Sequence, residues 1–299
     1  MHTNILFPTD GSDAAEETLD YALDVAAAHD ATLHLLHVAD TNQDSLTRLG
    51  GEVVDVLERA GGGIVEAAAE RADERGVSTS TSVLQGDPSM TIVDYVAEYD
   101  VDLVVMPTHG RRGLSRLLLG SVTERVVGAV DVPVVVVTPD EGVAFVYPPE
   151  RILVATDGSA AAEEALESAV ALARATGASL HLLHVVETAS LGFDVRSVVA
   201  GDDLDAAGRT LLAEAASTVE AAGVDSVSTE LTHGRPHREI RASIEAHDID
   251  LLALGVHGET DFSRSVLGGV TTKVIRGSPV PILLRRETGA SASESASVK

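Results

Sequence analysis

Cysteine is absent from this 299-residue chain, which excludes thiolate nucleophiles, iron–sulfur clusters, cysteine zinc sites and any disulfide framework. Lysine is nearly absent too, occurring only at Lys273 and Lys299, and the arginines form no basic stripe. The counterion release that drives phosphate-backbone binding therefore has no source, and no nucleic-acid partner is expected. Long hydrophobic runs are missing as well. No apolar run approaches the roughly 18 residues of a membrane span, and the N-terminal MHTNILFPTDG lacks a basic stretch leading into an apolar core. The expectation is a cytoplasmic protein with no membrane partner.

What is present is acid. The formal net charge is -26, with 47 Asp and Glu against 21 Lys and Arg. Residues 1–149 carry 25 acids and 8 bases and residues 150–299 carry 22 and 13, so the acidity belongs to both halves rather than to a tail. Such a surface keeps a protein solvated where salt screens charge over a few ångströms, which points to a salt-rich cytoplasm; the plainer reading is an acidic soluble protein.

The chain also repeats itself. Residues 4–40 return as 151–187 with more than half the positions identical, and 102–110 (DLVVMPTHG) return as 250–258 (DLLALGVHG). The two offsets, 147 and 148, differ by one, so whole domains are duplicated. The period lies far above the 20–50 residues of solenoids and matches one globular domain. With 44% hydrophobic residues, each half can bury its own core.

Within each half, short β-branched or leucine-rich runs alternate with longer alanine- and acid-rich stretches, the pattern of strand and crossover helix in a parallel sheet. The expected strands are 4–8, 32–38, 78–84, 103–106 and 134–137, then 152–155, 179–186, 226–231, 251–254 and 281–284. The first helix is expected from Ser12 or Asp13, with Glu16 available for a capping box, and its counterpart from Ser159, each about 17 residues long. The fold class is α/β: two tandem doubly wound domains, each a five-stranded parallel sheet of order 3-2-1-4-5 with helices on both faces. Domain boundaries fall at 1–140, a proline-interrupted linker at 141–150, 151–286, and a tail of low apolar content at 287–299 expected to be disordered.

Ligands of doubly wound sheets settle outside the carboxyl ends of the strands, where the winding reverses, here between strands one and four. Two loops border that point in each half. The first is TDGS, containing Asp10 or Asp157. The second is glycine-punctuated and runs in the first half as PTHGRRGLSRLLLGSVT, residues 107–123. Gly110 and Gly120 let a phosphate approach the main chain, amides from Gly120 to Thr123 and the helix dipole favour its charge, and Ser121 and Thr123 offer hydroxyls to phosphate or a metal ion. Asp10 can accept from ribose hydroxyls.

TDGS, the LHLLHV strand, and a glycine loop ending in GSVT before VPVVVV resemble universal stress protein domains, as a tandem pair covering nearly the whole chain. The resemblance is to the ATP-binding branch, whose loop reads Gly, two residues, Gly, nine residues, then Gly and Ser or Thr. The first half supplies Gly110, Gly120 and Ser121 but has Pro107 at the first glycine. The second supplies Gly255, Gly258 and Gly268 but has Gly269 in place of the hydroxyl residue. The resemblance implies ATP, with or without Mg2+, bound by Pro8, Thr9, Asp10, Val38, Met106, His109, Gly110, Arg111, Gly120, Ser121, Val122 and Thr123. In the second half the residues implied are Ala155, Thr156, Asp157, Val185, Gly255, Gly258, Gly268, Gly269, Val270 and Thr271. Arg111, Arg112 and Arg116 favour phosphate, whereas Glu259 and Asp261 oppose it with Arg264 a partial offset, so the first domain is expected to be the better site. Pro107 is expected to remove one amide contact or to distort the strand end.

Plainer readings stand beside these. Asp10 and Asp157 can simply form Asx-turns. Strand alternation sends His34 and His37, like His181 and His184, to opposite faces, and no carboxylate at a fixed short spacing completes a metal site, so structural roles are expected and no metal ligands are assigned. His109 and His257 can touch phosphate or pack a turn, while His233 and His237 read as surface residues. The terminal strands 132–137 and 280–284 need a partner; the resemblance implies pairing across a dimer, made internally as a pseudo-dimer or between two chains. Three functions remain open. One is a nucleotide-binding stress protein acting through conformation or assembly. Another is a slow ATP hydrolase, for which no general base, Walker lysine or catalytic dyad is visible. The third is a nucleotide-free interaction module.

Overall fold

A computed structural model describes residues 2–40, 53–110, 119–139, 145–187, 199–258 and 267–288. The first half runs β1 (Asn4–Pro8), α1 (Asp13–His29), β2 (Thr32–Asp40), α2 (Val53–Glu74), β3 (Thr79–Gly86), α3 (Pro88–Glu98), β4 (Leu103–Pro107), α4 (Ser121–Ala129) and β5 (Val134–Val137). The second repeats it as β6 (Arg151–Ala155), α5 (Ala160–Thr176), β7 (Ser179–Glu187), α6 (Val199–Ala221), β8 (Val227–Gly234), α7 (Pro236–Ala246), β9 (Leu251–Gly255), α8 (Gly269–Ile275) and β10 (Ile282–Arg285). All ten expected strands form, several extended by one to three residues. The expected tail from residue 289 onward lies outside the described residues.

Each half is a parallel sheet of order 3-2-1-4-5, and the halves join edge to edge through an antiparallel β5–β10 pair in which Leu283 faces Val135. Of the two expected ways of satisfying the terminal strands, the chain takes the internal one: β5 and β10 sit at the centre of a ten-stranded sheet, and β3 and β8 form its edges. Side chains from β10 fasten the seam. Arg285, held by Glu164 of its own domain at 2.5 Å, donates to the Asp131 carbonyl across the seam at 2.9 Å, and Arg286, just past the strand, donates to the Ala129 carbonyl at 2.8 Å.

Period-two alternation divides the core into two layers. Ile5, Phe7, Leu33, Leu35, Val105 and Val135 join Ile152, Val154, Leu180 and Leu283 on the face covered by α1, α2, α5 and α6. Leu6, Leu36, Val104, Val134 and Val136 join Leu153, Leu183, Leu252 and Leu284 on the opposite face, under α3, α4, α7 and α8. Both layers run through the seam, so the β5–β10 junction is covered on both sides by apolar side chains.

Helix starts follow the expected caps with one correction. Ser12 and Ser159 each accept from the amide three residues on, at 3.3 Å, and both helices are 17 residues long. Glu16 does not close a capping box, because the Ser12 amide it would serve already donates to Asp10 Oδ1 at 3.0 Å. The described part of the segment expected to link the domains folds back onto the first domain. Phe145 and Tyr147 meet Tyr21 of α1 edge-on at centroid distances of 6.4 and 5.7 Å, and the Tyr147 hydroxyl lies 2.5 Å from His29 Nε2.

Candidate functional site

β1 pairs with β2 on one side and with β4 on the other, so the winding reverses where Pro8 and Pro107 end their strands. The chain leaves β1 through a tightly bonded turn. The Thr9 amide donates to the Leu36 carbonyl at 2.8 Å, Gly11 at φ 66 donates to Thr9 Oγ1 at 3.2 Å, and Asp10 Oδ1 receives Ser12. The second domain repeats each bond: Thr156 to Leu183 at 2.9 Å, Gly158 to Thr156 Oγ1 at 3.2 Å, and Ser159 to Asp157 Oδ1 at 3.0 Å. Below the turn, His37 donates from Nδ1 to the Thr9 carbonyl at 2.9 Å, and His184 does so to the Thr156 carbonyl at 2.8 Å. Both rings leave room only for glycine on the helix above. A Cβ on Gly61 would lie 2.5 Å from His37 Cδ2, and one on Gly208 2.8 Å from His184 Cδ2. These histidines brace the loop, a structural role.

The Asx-turn and the crevice prove compatible, because each aspartate uses its two oxygens differently. Oδ1 closes the turn, while Oδ2 lies against the glycine of the other loop: a Cβ on Gly110 would sit 2.3 Å from Asp10 Oδ2, and one on Gly258 2.7 Å from Asp157 Oδ2. The two loops that are far apart in sequence thus meet at one point in both domains. Any side chain at either glycine would have to push the aspartate carboxylate aside.

The helix at the end of the second loop supplies the other wall. α4 starts at Ser121 with Gly120 as N-cap and no side-chain cap, and Ser121 is exposed. One expectation needs correcting: the Gly120 amide is not free, because it donates to the Thr108 carbonyl at 2.7 Å, and Gly268 repeats this to Val256 at 2.9 Å. The amides left for an anion are those of Ser121, Val122 and Thr123. Thr123 is buried and spends its hydroxyl on the Pro107 carbonyl at 3.0 Å, as Thr271 does on Gly255 at 3.1 Å, so Ser121 alone presents a hydroxyl at the helix start. His109 shares a 3.0 Å bond with Thr108 Oγ1, and the His257 carbonyl accepts from Ser159 Oγ at 3.3 Å, both turn-packing contacts. Pro8, Thr9 and Met106 are buried beneath the crevice and Val38 is half-buried; Ala155 is buried and Val185 half-buried in the second domain. Arg111, with Arg112 and Arg116, and Glu259, Asp261 and Arg264 lie outside the described residues.

Pro107 does not distort its strand. β4 keeps register with β5 through Pro107 opposite Val137, and the ladder resumes with the Thr108 amide donating to Val137 at 2.8 Å. Gly255 at the same place is sterically demanded. A Cβ there would lie 2.8 Å from both the carbonyl carbon of Ala161 and the amide nitrogen of Ala162. The start of α5 therefore presses onto β9, whereas in the first domain α1 must leave space for the proline ring. Gly269 is exposed, with nothing within 4 Å of a Cβ. α8, at 7 residues, is also shorter than α4 at 9, so its dipole is the weaker anion partner.

The remaining histidines divide. His34 Nδ1 bonds the Tyr95 hydroxyl at 3.0 Å within an aromatic cluster, and His233, exposed, pairs with Asp205 at 2.6 Å. No carboxylate stands at a short spacing from His181 along the chain, yet its Nε2 meets Glu230 Oε2 at 2.8 Å. The carboxylate comes from the neighbouring strand β8, where spacing along the sequence gives no signal.

Comparison with known proteins agrees with this geometry. The model of the universal stress protein family matches residues 1–138 and again 149–286. A universal stress protein of Mycolicibacterium smegmatis is 28% identical over 297 residues, covering 94% of this chain and 96% of that protein. One from Methanocaldococcus jannaschii is 34% identical over 140 residues, 46% of this chain and 82% of the relative. The crystal structure of a universal stress protein from Archaeoglobus fulgidus shares the fold, with a TM-score of 0.72 at 24% identity over 95% of this chain and 96% of that one. The duplicated sequence, the paired doubly wound sheets and these matches agree: the chain belongs to the universal stress protein family, in tandem form.

Proposed function

We propose that the first domain binds an adenine nucleotide, ATP with or without Mg2+, at the β1–β4 switch point, and that occupancy changes conformation or assembly rather than driving a catalytic cycle. The observation that carries this reading is the packing of Asp10 onto Gly110 beside the uncapped start of α4. A carboxylate placed for sugar hydroxyls stands next to the bare main chain of Gly110 and next to amides suited to phosphate. Pro8, Thr9, Asp10, Val38 and Met106 would face the adenosine, and His109, Gly110, Arg111, Gly120, Ser121, Val122 and Thr123 the phosphates. Ala155, Thr156, Asp157, Val185, Gly255, Gly258, Gly268, Gly269, Val270 and Thr271 form the weaker second site. Ser121, exposed at the start of α4, would offer its hydroxyl to a phosphate oxygen or to bound magnesium, which would neutralise phosphate charge. The acidity further suggests a salt-rich cytoplasm as the setting, and assembly of two chains would have to use surfaces other than β5 and β10.

The test is to denature protein purified in high salt and quantify released nucleotide by liquid chromatography with mass spectrometry. Near-stoichiometric ATP, reduced by Asp10→Ala, supports the reading. No nucleotide, together with a failed titration of ATP and magnesium, would leave the interaction module as the better account. Steady ADP release abolished by a Gly120 substitution would instead indicate hydrolysis.

A further inference from the structure

The two domains share a backbone but differ at one polar cluster. In the first, His34 of β2 meets the Tyr95 hydroxyl at 3.0 Å, Ser82 of β3 lies 3.3 Å from the same hydroxyl, and Tyr99 stacks on Tyr95 at a centroid distance of 4.1 Å. Tyr95 is 2% exposed, so phenol rings fill the space. At the equivalent positions the second domain has His181, Glu230, Ser243 and His247. Both aromatic rings are gone, and a carboxylate and a second imidazole have replaced neutral groups.

These changes converge on one point. His181 Nε2 lies 2.8 Å and His247 Nε2 3.5 Å from the same oxygen, Glu230 Oε2, and the three ligand atoms fall within 4.8 Å of one another. Ligands around a tetrahedral zinc, at about 2.0–2.2 Å from the metal, stand about 3.3 Å apart, so small side-chain rotations close the set. Two further hydroxyls orient it. His181 Nδ1 is 2.7 Å from Ser228 Oγ, which fixes the ring with Nε2 directed inward, and Ser243 donates to Glu230 Oε2 at 2.8 Å. Outer-shell bonds of this kind accompany metal-binding histidines and carboxylates. The imidazoles lie 4.1 Å apart between centroids, close enough for both to offer a nitrogen to one cation. Exposures of 11%, 33% and 44% for the His181, Glu230 and His247 side chains leave the point accessible to an ion and a water ligand.

We propose that His181, Glu230 and His247 form a site for a divalent transition metal, zinc foremost, present in the second domain only. Two imidazoles and one carboxylate suit zinc better than calcium or magnesium, which prefer all-oxygen shells. The site lies on the α7 face of the sheet, beside the middle of β6, while the TDGS loop emerges from the carboxyl end of that strand. It is therefore separate from the nucleotide crevice and does not depend on that reading.

The experiment is a zinc titration of the full chain against a chromophoric chelator, with metal retained after dialysis measured by plasma mass spectrometry. The parent is expected to retain a single zinc ion. His247→Ala, at the exposed end of α7, and Glu230→Gln are expected to weaken binding by about tenfold or more, while His233→Ala on the Asp205 pair leaves it unchanged. Far-UV circular dichroism establishes that each variant is folded. A parent that retains no zinc, or zinc held equally by parent and His247→Ala, overturns the proposal.

Discussion

Replacing Gly255 with alanine puts a methyl group where the structure has no room for it. Its Cβ would stand 2.8 Å from two main-chain atoms of α5 and 3.1 Å from Ala161 Cβ. Carbon contacts relax only near 3.5–4.0 Å, so the start of α5 must move away by a large fraction of an ångström, and no rotamer change can relieve the backbone. Overpacking of this kind costs about 1–3 kcal/mol. For a domain of this size each kcal/mol moves the midpoint by about 2–4 °C, giving a fall of roughly 2–12 °C in the second domain. The opposite sign is expected for Gly128→Ala, since nothing lies within 4 Å of that Cβ in α4. Losing a helical glycine there should add about 0.5–1 kcal/mol. All four tyrosines precede residue 150, so near-ultraviolet tyrosine signals report the first domain and far-ultraviolet dichroism both. In Gly255→Ala the far-ultraviolet transition should shift more than the tyrosine transition. An unshifted Gly255→Ala, or the two glycine variants moving in the same direction, would refute the steric reasoning.

Gly110→Ala should displace the Asp10 carboxylate and, if the crevice holds ATP, weaken it about 10- to 100-fold by calorimetry, the loss of one hydrogen bond to a charged group; unchanged affinity would detach Gly110 from the site. His29 is 8% exposed, and burial, then the neighbouring His2, lower its pKa to about 4. The unfolded chain takes up that proton near 6.5, so the group costs no stability above that pH. Below it stability falls towards pH 4 by at most about 3 kcal/mol. The drop in urea midpoint between pH 7.5 and 5 should be smaller in His29→Gln, and an equal drop would assign it to other groups. Arg285→Ala removes the guanidinium from half-buried Glu164, which keeps the Thr288 hydroxyl, and from the Asp131 carbonyl across the seam, and should destabilise by about 2 kcal/mol, between an exposed pair and a fully buried one; chemical denaturation showing no loss would mean that Arg285 adds nothing to the β5–β10 ladder, Arg286 and the apolar layers.

Much of the fold was legible because the physics behind it is local. Alternation between leucine-rich strands and alanine-rich helices predicts every strand, and Ser12 and Ser159 mark both helix starts. The meeting of Asp10 with Gly110 was accessible once the switch point was placed between β1 and β4. What escaped the sequence depends on neighbours across strands. Glu230 is 49 residues from His181, and only the β7–β8 register brings them together. The Gly120 amide reads as free because its acceptor, the Thr108 carbonyl, lies across a loop whose course no periodicity describes. Pro107 looks disruptive in isolation, yet the ladder to β5 needs no proton from that residue.

The central β5–β10 pair also bears on how this molecule can change over time. In a dimer of identical chains every substitution appears twice and must suit both sides of the symmetry axis. Here the two sides of the seam are encoded separately, so Pro107 can stand in one domain opposite Gly255 in the other, and an aromatic cluster opposite a histidine–carboxylate cluster. Covalent linkage also holds the halves together at any dilution. Each domain is thereby free to specialise without losing its partner.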